Sequence, residues 1–429
     1  MWLDRRLGGG KKESRKVMIG YDLREDYVQI SYGISKDSEI QTLTVADGTE
    51  RYNIPLVLWK KKGVNQWLFG TEALQIGEDA AGFRIERLMD LVRRGRTVRL
   101  DGESFDPVTL LTLFVKMSLS LLEEVFPQKQ WGGIMFTLDE LDTRMREVMK
   151  LLCADLPLVP ERIFFQSHVE SFYYYMSCQP EELWNTQVLL CDYDNHRLKV
   201  YELSCNGRSV PKVVFIDEAE YKELDRRGGK REELDQCFLD IVTKRCSNKV
   251  ISSVYLVGDG YRDGWMDQSR RFLCRGRRVF QGNNLYSLGA CQGIREKLLL
   301  ERQEPNWYFL DQDKLRTQIS MQVLHHREEV VFPILEAGKN WFEAMQEFEF
   351  LLEQGNTLTL RLTSLDGNNF REVSLRLDDL EERPDWMTRL RMQVRMQGSE
   401  QLVCRVWDLG FGELYPASGK EWTEVFDIG

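Results

Sequence analysis

The pattern of hydrophobic and polar positions repeats one hairpin plan at two distant places in the chain. In each place, a run of apolar residues ends on an aspartate, a polar turn follows, and a strand of alternating polarity runs back. The first hairpin covers residues 16–32 and contains Asp22, and the second covers residues 187–201 and contains Asp192. A hairpin repeated at the spacing of a domain favours two related lobes that face one cleft.

Between and after these hairpins, the pattern predicts further helices and buried strands. Asp106 and Pro107 are typical of the cap and first position of a helix, which continues through the apolar run at residues 108–122. We predict other helices over residues 84–94, 141–154, 169–176 and 232–246, and buried strands over residues 133–137, 162–165 and 254–257.

The pattern changes at about Ile319, where short strands separated by glycine-containing turns begin. Their spacing predicts an all-β module of roughly a hundred residues, similar to a sandwich. We therefore divide the chain into a flexible basic tail over residues 1–15, a first lobe over residues 16–186, a second lobe over residues 187–318 and a β-sandwich over residues 319–429.

Charge and composition exclude several classes of function. The chain carries 58 Lys and Arg residues against 68 Asp and Glu residues, a formal charge of −10, whereas proteins that bind nucleic acid draw most of their affinity from a basic surface. The run at residues 108–122 is too short and too polar to span a bilayer, and the first ten residues lack the apolar stretch of a targeting signal. We expect no nucleic-acid partner and no integral membrane segment.

The cysteines and histidines argue against a disulfide framework and against a metal site. Nine cysteines, an odd number with no CxxC pair, are typical of reduced thiols in a cytoplasmic protein. His325 and His326 form the only close histidine pair, and adjacent residues do not share a helix face as zinc ligands do. The sequence also lacks a Walker-type phosphate loop and a GxSxG nucleophile motif.

The order of several short motifs resembles that of the seventy-kilodalton heat-shock chaperones of the DnaK type, which share the ATPase fold of actin and the sugar kinases. The matching segments cover nearly the whole chain after residue 16: residues 19–23 resemble the first phosphate loop, 162–167 the first connecting motif, 190–192 the start of the second phosphate loop, 256–262 the adenosine motif, 289–293 the second connecting helix and 330–408 the substrate-binding β-sandwich. The resemblance implies an α/β fold of two actin-like lobes followed by a C-terminal β-sandwich, mixed α+β overall. It also implies a site for ATP or ADP with Mg at Asp22, Asp192, Gly258, Gly260 and Arg262.

The sequence departs from that family where the family contacts phosphate. Phosphate loops rely on glycines that let backbone N–H groups approach the ligand. Here Arg24, Glu25 and Asp26 follow the first aspartate, and the sequence Tyr-Asp-Asn-His at residues 193–196 follows the second. Glu86 stands where the resemblance places the catalytic lysine, and Gln166 stands where it places a metal-assisting glutamate.

Two parts of the family's architecture are also expected to be missing. The segment between Asp192 and Gly258 is much shorter than in the family, which implies a reduced second lobe without its outer subdomain. The chain ends at Gly429, directly after the β-module, so the resemblance implies no helical lid.

We therefore expect a protein that keeps the fold and has lost the chemistry: a non-enzymatic, chaperone-like pseudo-ATPase scaffold in the cytoplasm, without a cofactor, that binds a protein or peptide partner. One alternative is a nucleotide-binding switch in which Arg24 or Arg197 contacts phosphate. Another is an actin-like filament or a component of cell division or of the envelope. The site residues also have a plainer interpretation, as aspartates that end strands, glycines of a tight turn and an arginine on the surface.

Overall fold

The structure, a computed structural model, describes residues 16–34, 38–45, 51–77, 80–194, 197–207, 212–222, 224, 230–262, 264–299, 307–311, 313–365 and 369–428. The chain divides into two units, residues 1–203 with 217–303 and residues 204–216 with 304–429. The predicted mixture of helices and strands is confirmed. The tail predicted over residues 1–15 and His196 of the second turn lie outside the described residues.

The first half of the first unit is built on the hairpin that contains Asp22. In chain order its elements are β1 (Val17–Leu23), β2 (Tyr27–Gly33), β3 (Gln41–Thr42), β4 (Ile54–Pro55), β5 (Leu58–Lys61), β6 (Trp67–Phe69), α1 (Gly70–Gln75), β7 (Gly82–Ile85), α2 (Leu88–Arg94), β8 (Val98–Leu100), β9 (Glu103–Phe105), α3 (Pro107–Glu123), β10 (Trp131–Leu138), α4 (Thr143–Cys153), β11 (Ile163–Ser167) and α5 (His168–Ser177). The main sheet has the order β11-β10-β1-β2-β3, with β4 also paired to β2. β1 is antiparallel to β2 and parallel to β10, which is parallel to β11. Every residue of β1 is buried, which explains its unbroken apolar run.

Capping residues fix where the long helices of this half begin. Asp106 accepts a hydrogen bond from the backbone N–H of Thr109 at 3.0 Å, and Pro107 takes the first position of α3. Ser167 caps α5 by accepting a hydrogen bond from the backbone N–H of Glu170 at 3.1 Å, so His168 is the first residue of that helix. The three helices predicted here are confirmed as α3, α4 and α5.

The helix predicted over residues 84–94 is wrong in its first half. Gly82–Ile85 form β7, which pairs with β5, and α2 begins only at Leu88. Arg87, between the strand and the helix, has a φ of 54°, and this left-handed conformation cannot continue a right-handed helix backwards. Strand pairing therefore outweighs the helical periodicity of this segment.

The next part of the chain repeats the arrangement around Asp192. Its elements are β12 (Gln187–Asp194), β13 (Arg197–Asn206), β14 (Val213–Tyr221), α6 (Arg231–Cys246), β15 (Ile251–Val257), α7 (Gln268–Leu273), β16 (Arg278–Gln281) and α8 (Leu285–Leu299). The strand order is β16-β15-β12-β13-β14, with β12 antiparallel to β13 and parallel to β15. In both sheets, a hairpin is extended on the side of its first strand by two parallel strands. The two aspartates therefore occupy equivalent positions near the carboxyl ends of equivalent strands.

Helix α8 packs along β1, β2 and β10 and also against α5. The contact with β1 requires a glycine, because a Cβ at Gly20 would lie 2.2 Å from the carbonyl oxygen of Ser287. This close packing holds the first turn of α8, which includes Tyr286, beside the strand that contains Asp22. No helix in the described ranges is long and apolar enough to cross a membrane.

The second unit is all β in its described residues, apart from a short 3₁₀ turn. Its strands are β17 (Tyr308–Leu310), β18 (Thr317–His325), β19 (Glu328–Leu335), β20 (Met345–Leu352), β21 (Thr357–Ser364), β22 (Phe370–Arg376), β23 (Thr388–Met396), β24 (Gln401–Asp408) and β25 (Glu421–Asp427). β17 pairs with Val213, Val214 and Phe215, the first residues of β14, which belong to this same unit. Two antiparallel sheets, β19-β18-β21-β22 and β20-β23-β24-β25, share one hydrophobic core. The predicted boundary at residue 319 falls inside β18, because that strand begins with the polar residues Thr317 and Gln318.

Candidate functional site

The two equivalent aspartates lie around one arginine. Asp22 and Asp192 are 0% and 7% exposed, and Arg24, in the turn after β1, is 8% exposed. Nε of Arg24 lies 3.5 Å from Oδ2 of Asp22, Nη2 donates to Oδ2 of Asp192, and Nη1 donates to Oδ2 of Asp194 at 2.7 Å. One guanidinium group thus pairs with three carboxylates, two of which are about 170 positions away in the sequence.

Aromatic side chains enclose the same guanidinium group. Nη1 of Arg24 donates to the hydroxyl of Tyr27 at 2.8 Å, and the guanidinium carbon lies 5.1 Å from the ring centroid of Tyr286. Tyr286 donates its hydroxyl hydrogen to Oδ2 of Asp192 at 2.9 Å. His168 stacks on Tyr286 at a centroid distance of 4.1 Å and donates from Nε2 to Oδ1 of Asp22 at 2.7 Å. We call these seven residues, Asp22, Arg24, Tyr27, His168, Asp192, Asp194 and Tyr286, the Arg24 cluster.

Burial and neighbouring charges shift the pKa values of Asp192 and Arg24 in the cluster. Burial raises the pKa of Asp192 above its ordinary value, and this effect exceeds the lowering by Arg24. Burial alone would lower the pKa of Arg24, but the neighbouring groups, Asp192 first, hold it well above its ordinary value. Oδ2 of Asp22 and Oδ1 of Asp192 are buried and accept no hydrogen bond from the described residues. The charge of Arg24 is therefore the main compensation that these carboxylates have.

A second group of ion pairs lies next to the cluster. Lys199 on β13 is paired through Nζ with Asp139 at 2.6 Å and with Glu218 at 2.9 Å. Arg197 pairs with Glu220 at 2.9 Å and lies 3.7 Å from Asp139. Burial would raise the pKa of Asp139, but His168 and Lys199 together lower it. The cations that line this region are already neutralised by carboxylates.

Little space is left between these groups. The cavity beside the cluster measures about 80 Å³ and is lined by Leu23, Arg24, Glu25, Met89, Arg93, Leu138, Asp139, His168, Asp192, Asp194, Arg197 and Lys199. Pockets that hold organic ligands measure about 300–1,000 Å³, so this cavity has room for a few water molecules. No three His, Cys, Asp or Glu side chains within the described ranges are arranged to hold a metal ion.

Two family models together match most of the chain. Residues 39–312 match the model described as the C-terminal part of a family of unknown function, DUF5716. Because this match covers more than half of the sequence, it decides the family. The chain belongs to the DUF5716 family. Residues 314–428 match a domain of unknown function, DUF8552, and no curated protein matches the sequence.

The glycines predicted for the adenosine motif are packed against Tyr193 in this DUF5716 protein. Gly258 has a φ of 102°, and a Cβ there would lie 2.4 Å from the carbonyl oxygen of Tyr193. A Cβ at Gly260 would lie 2.3 Å from the ring of the same tyrosine. Arg262 is on the surface, with its side chain 60% exposed, and pairs with Asp259 at 2.8 Å. Each of the three residues therefore has a structural contact that accounts for it without a ligand.

Of the five predicted site residues, the structure brings Asp22 and Asp192 together, and a Cβ at Gly258 would lie 3.2 Å from Oδ1 of Asp192. The two positions at which the sequence departs from the chaperone family, Glu86 and Gln166, lie outside the Arg24 cluster. Glu86 is an exposed partner of Arg84 at 3.8 Å, and Gln166 is buried and donates to Ser171 at 2.7 Å.

The sequence analysis did not identify all the residues that form the Arg24 cluster. It treated Arg24 and Asp194 as substitutions that spoil two phosphate loops, and it did not place His168 or Tyr286 in the site. Charges of opposite sign at equivalent positions of the two turns, Arg24 and Asp194, were the available signal for an ion pair across the two hairpins. Tyr286 carried no comparable signal, because its role depends on the packing of α8.

Proposed function

We propose that this DUF5716 protein is a non-enzymatic, chaperone-like scaffold, a pseudo-ATPase with two actin-like lobes and a C-terminal β-sandwich that binds a protein or peptide. The observation that carries the proposal is the position of Arg24. Its guanidinium group fills the space between the two aspartates that, by the resemblance to the DnaK-type chaperones, would face a metal ion and the phosphates of ATP.

The charge balance of the Arg24 cluster supports the loss of ATP hydrolysis. A buried ion is stable only when it is paired and well hydrogen-bonded, and Arg24 provides this pairing for Asp22, Asp192 and Asp194. If a nucleotide phosphate displaced Arg24, it would face these carboxylates, and each pair of like charges at about 4 Å costs about 4 kcal/mol at an effective dielectric constant near 20. Arg24 and Arg197 are both engaged by carboxylates, which also weakens the alternative of a rewired nucleotide switch.

The strand order supports two related lobes. Each sheet contains a hairpin extended by two parallel strands, with an aspartate near the carboxyl end of the hairpin's first strand. Duplicated sheets of this kind, with α5 and α8 packed against each other, agree with the order of the connecting motifs in the resemblance. On this basis we infer actin-like lobes whose nucleotide chemistry is lost.

The second unit offers sheet edges for a peptide. β19 is an edge strand of its sheet, and Val330 and Val331 on it are 37% and 54% exposed. An extended peptide can add to such an edge through backbone hydrogen bonds, with its side chains on exposed apolar positions.

The nine cysteines are free thiols, as expected for a protein that works in the reducing cytoplasm.

The test of the lost chemistry is ATP turnover at millimolar Mg-ATP. We expect the wild-type protein, the Asp22→Ala variant and the Asp192→Ala variant to show the same background rate, because none of them holds a nucleotide for hydrolysis. Thermal unfolding of each variant shows whether it is folded at the assay temperature. Mg-dependent turnover in the wild type that disappears in both variants would contradict the proposal.

A further inference from the structure

A surface pocket lies at the opposite end of the first sheet from the Arg24 cluster. β1 and β10 are parallel, Asp22 pairs with Thr137 near their carboxyl ends, and the pocket includes Trp131, the first residue of β10. Its volume is about 280 Å³. Its apolar lining residues are Leu119, Trp131, Leu156 and Pro157, and its polar lining residues are Lys116, Glu123, Gln128 and Asp155.

Two acidic side chains, Glu123 and Asp155, are among the residues that line this pocket. The side chain of Asp155 is 66% exposed and lies 3.4 Å from Nζ of Lys116, while Glu123 accepts a hydrogen bond from Gln128. Three exposed apolar residues stand two to four positions from lining residues in the sequence: Val125, Leu151 and Val159, which are 53%, 66% and 59% exposed. Exposed apolar surface beside carboxylates is typical of a contact site for a segment that is both basic and apolar.

The chain enters the structure beside this pocket. Val17 pairs with Trp131 at the start of the parallel ladder, and Cβ of Lys16 lies 2.9 Å from the position a Cβ would take at Gly132. Neighbouring strands are about 4.8 Å apart. Lys16 therefore lies next to the wall of the pocket that Trp131 forms.

The preceding segment has the complementary chemistry. Residues 1–15 contain the apolar side chains of Trp2, Leu3 and Leu7, and they carry five basic residues against two acidic ones. Gly8, Gly9 and Gly10 separate the apolar part, which includes Arg5 and Arg6, from the basic stretch before β1. Glycine-rich sequences of this kind are typical of linkers.

We infer that residues 2–7 bind this pocket within the same chain, with Trp2 and Leu3 on the apolar floor and Arg5 and Arg6 at the carboxylates of Glu123 and Asp155. The eight residues from Gly8 to Arg15 span up to about 26–29 Å when extended, which is ample for a pocket one strand away. A link this short also keeps the segment at an effective concentration in the millimolar range, so modest contacts suffice for occupancy. This site is independent of the Arg24 cluster and of the proposed function.

The experiment is the rate of tryptic cleavage after Arg5 and Arg6 in the full chain, followed by intact mass. Trypsin needs an extended, accessible segment, so the cleavage rate follows the fraction of chains whose segment is outside the pocket. We expect cleavage to be about three- to tenfold faster in the Glu123→Gln/Asp155→Asn double variant, which removes two exposed ion pairs, and in Trp2→Ser, which removes the largest apolar contact. The matched control is Glu147→Gln, an exposed carboxylate on α4 paired with Lys150, which is expected to leave the rate unchanged. None of these substitutions adds a tryptic site.

Several results would overturn the inference. Equal rates in the wild type and both variants would show that the segment does not use the pocket. Protection that rises with protein concentration would assign the pocket to a second copy of the chain. Protection that appears only with vesicles containing phosphatidylserine would assign the basic segment to an anionic membrane surface instead.

Discussion

The Arg24→Met variant is expected to be less stable than the wild type by about 3–5 kcal/mol, because it leaves the buried carboxylates of Asp22 and Asp192 without their cation. Methionine keeps much of the side-chain volume, so the decrease in the free energy of unfolding reflects the missing charge more than altered packing. The free energy of unfolding from urea denaturation, with the transition of the first unit followed separately, measures the effect.

Two further variants separate the charge from other effects of Arg24. In Arg24→Met/Asp192→Asn/Asp194→Asn, two of the three carboxylates that Arg24 pairs with are replaced by neutral amides. We expect part of the lost stability to return. Arg262→Met, which removes an arginine with a 60% exposed side chain, is expected to change stability by less than about 1 kcal/mol. An Arg24→Met variant as stable as Arg262→Met would show that Arg24 does not hold the site together.

The second large effect is expected in the second unit, at Asp408. Both oxygens of Asp408 accept from Arg383, at 2.8 and 2.7 Å, and they also accept from the backbone N–H groups of Gly410 and Ser418 at 3.0 and 2.9 Å. The side chains of Arg383 and Asp408 are 1% and 0% exposed. Arg383→Ala is therefore expected to cost about 3–5 kcal/mol of the unfolding free energy. The control is Arg391→Ala, whose pair with Glu349 is 43% exposed on both sides and is expected to contribute less than about 1 kcal/mol.

The same pair predicts a dependence on pH. Burial would raise the pKa of Asp408, but the hydrogen bonds from Arg383, Gly410 and Ser418 hold it well below its ordinary value. A lowered pKa adds stability that is fully present above the pKa of the unfolded state, near 3.9. This stability is lost as the pH falls from there through the lower pKa of the folded state. We expect the unfolding free energy of the wild type to decrease below about pH 5, and that of Asp408→Asn to start lower and decrease less. Parallel curves for the two proteins would contradict this assignment.

Local features of the fold could be predicted because their causes lie within a few residues. Asp106 and Pro107 begin α3 through a hydrogen bond to Thr109, three positions away, and the hairpins at Asp22 and Asp192 are formed by adjacent strands. The helix predicted over residues 84–94 was correct only from Leu88 onwards, because pairing of Gly82–Ile85 with a distant strand decided the conformation before it. β25 carries no clear strand pattern of its own, because only Trp422 and Phe426 pack against the core, too few for an alternation.

The site shows the same division between local and distant causes. Both aspartates were found from the repeated pattern, whereas their environment depends on residues about 150–170 positions apart: His168 beside Asp22, and Arg24 beside Asp194. A sequence identifies Arg24 as the wrong residue for a phosphate loop, but only the three-dimensional arrangement shows that it supplies the charge that the aspartates need.

The most direct test of the central claim, that Arg24 occupies the place of a nucleotide and its metal, is a thermal-shift titration with Mg-ATP and Mg-ADP up to millimolar concentration. A ligand that binds only the folded state adds about 2.7 kcal/mol of stability at a hundred times its dissociation constant. We predict no shift with either nucleotide beyond that of matched magnesium and salt controls. A saturating, magnesium-dependent upward shift would show that the cluster opens for nucleotide and would contradict the account.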